Sequence, residues 1–211
     1  MKKLLHIISS PRGESSDSEK IAAAFLKQYK ETNPDAQIDT LNLWTHKIPS
    51  FDGNKATAKM TFFGTGTLEG EIKTAWDQVV EVTNRFTAAD EYLITVPMWN
   101  GGIPWVLKHY IDTITQPGLT FGFGAEGYFP LLKDKKACVI LTSGVYSPAL
   151  PKPFGLDFQA SYMDWWLEFV GVSEIHSVKL LSNVLSQNQS KDKEEANKQA
   201  AEIVKNHFAQ I

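Results

Sequence analysis

The sequence predicts a doubly wound α/β sheet of five parallel strands in the order 2-1-3-4-5, with helices on both faces. Three observations predict it. The runs 4–8, 92–96 and 137–142 are almost continuously apolar, as expected of parallel strands covered by helices on both sides. Helical apolar stripes fill the gaps, so strand and helix alternate along the chain. Two further runs, "QIDTLNL" (37–43) and "EIHSVKLL" (174–181), are interrupted by polar residues and suit sheet edges.

Taken in order, strand 1 leads into a helix marked by Ile21, Ala24, Phe25 and Tyr29. Strand 2 follows, then a helix over 68–86 and strand 3. Ile103, Leu107, Tyr110, Ile111 and Ile114 mark the next stripe, ahead of strand 4. Helices over 158–170 and 193–208 flank strand 5. Right-handed crossovers and the two polar edges give the flavodoxin-like order. In such a sheet the ligand crevice lies at the carboxyl ends of strands 1 and 3, where the winding reverses.

The 211 residues are 43% apolar and 21% charged, a composition typical of a soluble globular protein. No linker, composition break or repeat divides them, so one domain over 1–211 is expected. A net charge of −3 gives no reason to expect nucleic acid or an acidic membrane as partner. No run approaches the roughly 18 apolar residues of a membrane span. Met1-Lys2-Lys3 leads straight into the first strand without the apolar core of a secretory signal, so a cytoplasmic location is expected. Cys138 is the single cysteine, which rules out a disulfide framework, and its apolar run marks it as a buried structural thiol.

The turn "SSPRGESSDS" (9–18) lies at the mouth of the crevice. It has neither the P-loop lysine nor the G-x-G-x-x-G of dinucleotide-binding folds. Hydroxyls and the free N–H groups of a helix start can hold a phosphate without either. Ser10, Ser15, Ser16 and Ser18 offer the hydroxyls, with the helix opening near Asp17. Plain helix capping is the alternative, because Ser16 and Glu19 spell a capping box. A receiver-type reading needs an acidic cluster after strand 1, and "HIISS" supplies none.

The turn after strand 3 is more specific. "PMWNGGIP" (97–104), followed by "LKHYID", resembles the FMN-dependent NADH-azoreductases, flavodoxin-like quinone reductases that carry Pro-Met-Tyr/Trp-Asn-Phe-x-Ile/Leu-Pro there. The resemblance covers nearly the whole chain. An isoalloxazine ring needs a flat apolar wall, which Met98 and Trp99 provide. It also needs polar partners for N3, O4 and N5, which Asn100 and the backbone of 100–102 offer; Pro97 and Pro104 restrict the turn from both sides. Gly101 stands where the family shows Phe, which removes an aromatic wall. By the same resemblance, Ser10, Ser16, Asp17 and Ser18 map onto the FMN phosphate contacts, Asp17 through its backbone N–H with its carboxylate turned away.

Strand 4 ends in "LTSGVYSPALP" (141–151), where many relatives read T-S-R-G-G beside the pyrimidine edge of the ring. Ser143 matches and Gly144, Val145 and Tyr146 depart, leaving Tyr146 to cover the ring or donate to substrate. The stretch 118–132 is long and aromatic, with glycines at 122, 124 and 127, and reads as a hairpin. In the family it reaches over the partner subunit's flavin, which makes Phe121 and Tyr128 candidate substrate contacts; burial in a dimer interface is the alternative. For Trp165 and Trp166, core or dimer packing is expected. His109 and His176 show no metal-ligand spacing and no acidic partner in sequence, so no metal is expected.

The resemblance implies a homodimeric FMN oxidoreductase that uses NADH or NADPH to reduce quinones and azo compounds by two-electron ping-pong transfer. No side chain is expected to act as a nucleophile, so no catalytic residue is assigned. A small flavodoxin-like electron carrier is the first rival, although such carriers are usually strongly acidic. The second is acyl-carrier-protein phosphodiesterase, a label that relatives have borne.

Overall fold

In the computed structural model, which describes residues 2–209, the strands are β1 (Lys3–Ile8), β2 (Gln37–Asn42), β3 (Glu91–Pro97), β4 (Phe121–Gly124), β5 (Gly127–Pro130), β6 (Lys135–Thr142) and β7 (Val172–Leu180). Five of them form one parallel sheet in the order β2-β1-β3-β6-β7, and β4 and β5 pair as a separate antiparallel hairpin. Counting the sheet strands alone, this is the expected 2-1-3-4-5, and the hairpin falls in the stretch expected to form one. β2 and β7, the two polar-interrupted runs, are the edges.

The helices are α1 (Asp17–Thr32), α2 (Gly53–Thr61), α3 (Gly70–Thr87), α4 (Trp105–Ile114), α5 (Gln159–Val170) and α6 (Gln189–Ile203), the last running into a π-helical turn, Val204–Phe208. The sequence reading missed α2. Only Lys55 and Ala58 are buried along its polar stretch, so it carries no stripe long enough to read. It starts at Asp52, whose carboxylate accepts from the Lys55 N–H, and it packs on α3.

The continuous apolar runs have a direct cause. Leu5, Ile7, Tyr92, Ile94, Val96, Val139 and Leu141 point into one core, shared with Phe86, Tyr110, Met163 and Trp166 of α3, α4 and α5. Leu4, Leu93, Cys138, Ile140 and Val178 point into the other, shared with Phe25 and Tyr29 of α1 and with Ala200 and Phe208. Each strand residue is buried whichever way it faces, so the usual alternation disappears. Trp166 is fully buried and donates from Nε1 to Thr115 Oγ1 at 2.9 Å, while Trp165 is exposed. Cys138 lies at the centre of the second core, where burial pushes its thiol up to about 12. Its complete burial in that core fits the expected structural thiol.

Candidate active site

The carboxyl ends of β1, β3 and β6 open on a crevice of about 510 Å³. Its floor is the start of α1. Ser10, Ser16 and Ser18 are all buried here. Ser16 stands at the N-cap, yet its hydroxyl makes no capping bond; it meets Ser18 Oγ at 2.9 Å. The capping-box alternative therefore fails. Glu19, its expected second half, turns under the sheet to accept from Thr95 Oγ1 at 2.6 Å. The first N–H of the helix to find a backbone acceptor is that of Lys20, which bonds to the Ser16 carbonyl. The N–H groups of Asp17, Ser18 and Glu19 are thus left over as donors at the positive end of the helix dipole.

Asp17 lines the crevice, and its carboxylate is engaged from α6 and the loop before it. Lys193 Nζ lies 2.9 Å from Oδ1, and the Asn183 amide donates to Oδ2 at 2.7 Å. The sequence reading missed both partners, because they come from a part of the chain far from the turn. Arg12 also lines the crevice and was missed, although it lies inside the quoted turn.

The wall is built by the 97–104 turn. Met98 is tied to the sheet by its N–H bond to the Thr142 carbonyl at 2.7 Å. Trp99 and Gly102 exchange two backbone hydrogen bonds of 2.9 Å, which leaves Asn100 and Gly101 as the central pair of a tight turn. Both have positive φ, 50° and 82°, the geometry for which Asn-Gly is the preferred pair. No ladder bond uses the N–H groups of Asn100 and Gly101. Trp99 is about one-third exposed and leans on Trp44, centroid to centroid 5.7 Å. Trp44 is held from below by its Nε1–H bond to the Ser9 carbonyl at 2.9 Å. Nothing in the sequence around Trp44 places it beside the crevice.

Gly101 has a second constraint besides its φ. A Cβ there would lie 3.1 Å from the Leu156 carbonyl oxygen and 3.6 Å from the Phe158 ring, and the Phe158 N–H bonds the Gly101 carbonyl at 2.8 Å. The loop before α5 therefore occupies the space next to this glycine.

On the opposite wall, Ser143 and Gly144 line the crevice. The Ser143 hydroxyl donates to the Tyr146 carbonyl and accepts from the Ser182 N–H at 3.0 Å, so the loop is pinned to the end of β7. Val145 and Tyr146 are not among the lining residues; the Tyr146 ring lies beside Gly155. Phe121 and Tyr128 do not reach the crevice of their own chain either. Phe121 is buried beneath Tyr128 and Phe169, which removes it as an open contact surface, whereas Phe123, Tyr128 and Phe129 are exposed along the hairpin.

The donor set is specific in kind: leftover helix N–H groups, buried serine hydroxyls, a neutralised carboxylate and a flat apolar wall. Residues 2–207 match the family described as flavodoxin-like fold. The chain is 46% identical to an FMN-dependent NADH:quinone oxidoreductase of Ruegeria pomeroyi, over 88% of this chain and 92% of that protein. It is 39% identical to the one from Desulfotalea psychrophila, over 85% of each. The chain belongs to the FMN-dependent NADH:quinone oxidoreductases. Among solved structures, the FMN-dependent NADH-azoreductase of Bacillus anthracis in complex with FMN superposes with a TM-score of 0.85 at 25% identity and full coverage of both chains.

Membership of these oxidoreductases agrees with the site. Ser10 and the α1 start at Ser16 and Asp17 line the same crevice as Met98 and Trp99. One further expectation is corrected away from the crevice. His176 does have an acidic partner, Glu174 at 2.8 Å, and His207 joins the pair.

Proposed function

We propose that this chain is an FMN-dependent NADH oxidoreductase that reduces quinones and azo compounds, and that it works as a homodimer in the cytoplasm. The observation that carries the reading is the α1 start. Ser10, Ser16 and Asp17 line the same crevice as the Met98–Trp99 wall, Ser18 Oγ stands 2.9 Å from Ser16 Oγ, and three N–H groups are left over at that helix start. The chemistry FMN supplies when bound is hydride acceptance and two-electron delivery.

The residues of the chain bind, orient and exclude. Ser10, Ser16, Ser18 and the N–H of Asp17 hold the phosphate. Met98 and Trp99 present the flat wall, and the N–H groups at Asn100 and Gly101 meet the polar edge of the ring. Ser143 and Gly144 close the other side. No side chain is needed as a nucleophile, and the crevice has room for one planar substrate at a time, so donor and acceptor take turns.

Among the described residues, no helix is long and apolar enough to cross a membrane. The homodimer rests on exposed aromatic surface. Trp105 and Trp165 rim a hollow of about 890 Å³ beside α4, and the hairpin adds Phe123, Tyr128 and Phe129. Contiguous apolar surface of this kind marks interfaces. The electron-carrier rival finds little support in a net charge of −3.

The test is direct. Purified protein should be yellow, release FMN, bleach with NADH under nitrogen and regain colour with benzoquinone. Steady-state plots against NADH and quinone should give parallel lines. A colourless protein that ignores added FMN, or one that releases FAD, would overturn the proposal.

A further inference from the structure

We propose that Glu174, His176 and His207 form a binding site for a divalent first-row cation of the zinc class, which pins the C-terminal end of the chain to the edge strand β7. Glu174 and His176 are two residues apart on β7 and so share one face of the sheet. His207 reaches them from the π-helical turn that ends α6. Such turns are rare and recur at functional positions, because they re-aim side chains that a regular helix would send elsewhere.

The three groups converge on one point. His176 Nε2 lies 2.8 Å and His207 Nδ1 3.3 Å from the same oxygen, Glu174 Oε1, and all three ligand atoms lie within 4.8 Å of one another. The two imidazole rings lie side by side, with centroids 3.8 Å apart and planes tilted by 34°. A tetrahedral zinc ion with ligands at about 2.0–2.1 Å sets its ligand atoms roughly 3.4 Å apart. The oxygen–nitrogen distances of 2.8 and 3.3 Å lie close to that spacing, and the two ring nitrogens are no more than 4.8 Å apart. Two imidazoles and a carboxylate make a donor set that favours zinc, nickel or copper over calcium and magnesium. Glu174 and His207 are partly exposed, which leaves water to complete the coordination.

Lys136 is the group that opposes a cation here. Its Nζ lies 3.7 Å from Glu174 Oε2 and donates to the His207 carbonyl at 2.6 Å. It thereby occupies the other carboxylate oxygen and holds the π turn in place, leaving Oε1 to the two rings. Its charge lowers the affinity without blocking the site.

The experiment uses untagged, FMN-loaded protein titrated with zinc chloride by calorimetry and with cobalt chloride by visible absorption. One ion per chain is expected, with a rise in the unfolding temperature on adding zinc. Glu174→Gln and His207→Ala should each weaken zinc binding by at least about tenfold, and His176→Ala with His207→Ala should abolish both binding and the temperature rise. Flavin content should stay the same throughout, which separates this site from the crevice. Absence of binding up to millimolar zinc, or binding that survives the double substitution, would overturn the proposal. His207→Ala alone keeps the test decisive if the double variant folds poorly, because His207 is the most exposed of the three.

Discussion

Lys193 of α6 closes on Asp17 in the first turn of α1, with Nζ 2.9 Å from Oδ1, and Asn183 takes the other carboxylate oxygen. An acidic side chain at the mouth of an anion site would repel a phosphate. Here its charge is cancelled by a residue from the far end of the chain, so two distant segments together set the electrostatics of one turn.

Lys193→Met should therefore weaken FMN binding by several-fold, about the fivefold that 1 kcal/mol gives for a partly exposed pair. Asp17→Asn should bind FMN at least as tightly as the parent. Both effects should shrink in high salt. Fluorescence titration of the flavin-free protein reads them, and equal affinities for parent and Lys193→Met would refute the argument.

Ser16→Ala with Ser18→Ala should cost more. Two hydrogen bonds to a charged group at roughly 1.5–3 kcal/mol each predict a loss of at least tenfold in FMN affinity. An unchanged affinity would mean that the Ser16–Ser18 contact serves only the packing of α1.

Beneath the turn, His6 Nε2 has no hydrogen-bond partner and lies 3.7 Å from Glu19 Oε2. The contact is not an ion pair at neutral pH, because burial lowers the His6 pKa from 6.5 to about 4. The native chain refuses a proton that the unfolded chain accepts. Stability is thus fullest above about pH 6.5 and falls as the pH drops towards about 4, by up to about 3 kcal/mol. Glu19 acts in the opposite sense: burial raises its pKa, so protonating it favours the native state. Denaturant unfolding of the flavin-free chain at pH 7 and 4.5 should show the His6 slope, and His6→Asn should flatten it. An unchanged slope in that variant would assign the acid loss elsewhere.

The strands were legible because burial on both faces leaves almost continuous apolar runs, and the polar breaks in β2 and β7 marked the edges. The hairpin was legible from its glycines. Gly122 is one of them: a Cβ there would lie 2.2 Å from the Phe129 ring. Residues whose role depends on a distant partner were not legible. Ser16 and Glu19 have the spacing of a capping box, yet Glu19 finds Thr95 on β3 instead. Trp44 stands next to an edge strand in sequence and beside the crevice in space. His176 gains His207 only through the π turn, which no periodicity announces.

Trp105 on α4 is 61% exposed and stands at the rim of the aromatic hollow. Sedimentation at micromolar concentration should show a dimer for the parent chain, and Trp105→Glu should shift it towards monomer with quinone turnover reduced at least tenfold. A parent monomer with full activity would refute the dimer.

Gly171 ends α5 at φ 102°, and a Cβ there would stand 2.3 Å from the Leu132 carbonyl oxygen at the base of the hairpin. The neighbouring Val170 carbonyl holds that base through the Leu132 N–H at 3.1 Å. Any side chain at 171 must therefore lever the hairpin away from α5, although the residue lies before the start of β7, at the opposite end of the strands from the crevice. In a dimer whose hairpin covers the neighbouring subunit, the injury would be felt across the interface. A cell making both normal and Gly171-substituted chains would lose activity in its mixed pairs as well, so a change with no ligand contact would behave as a dominant one.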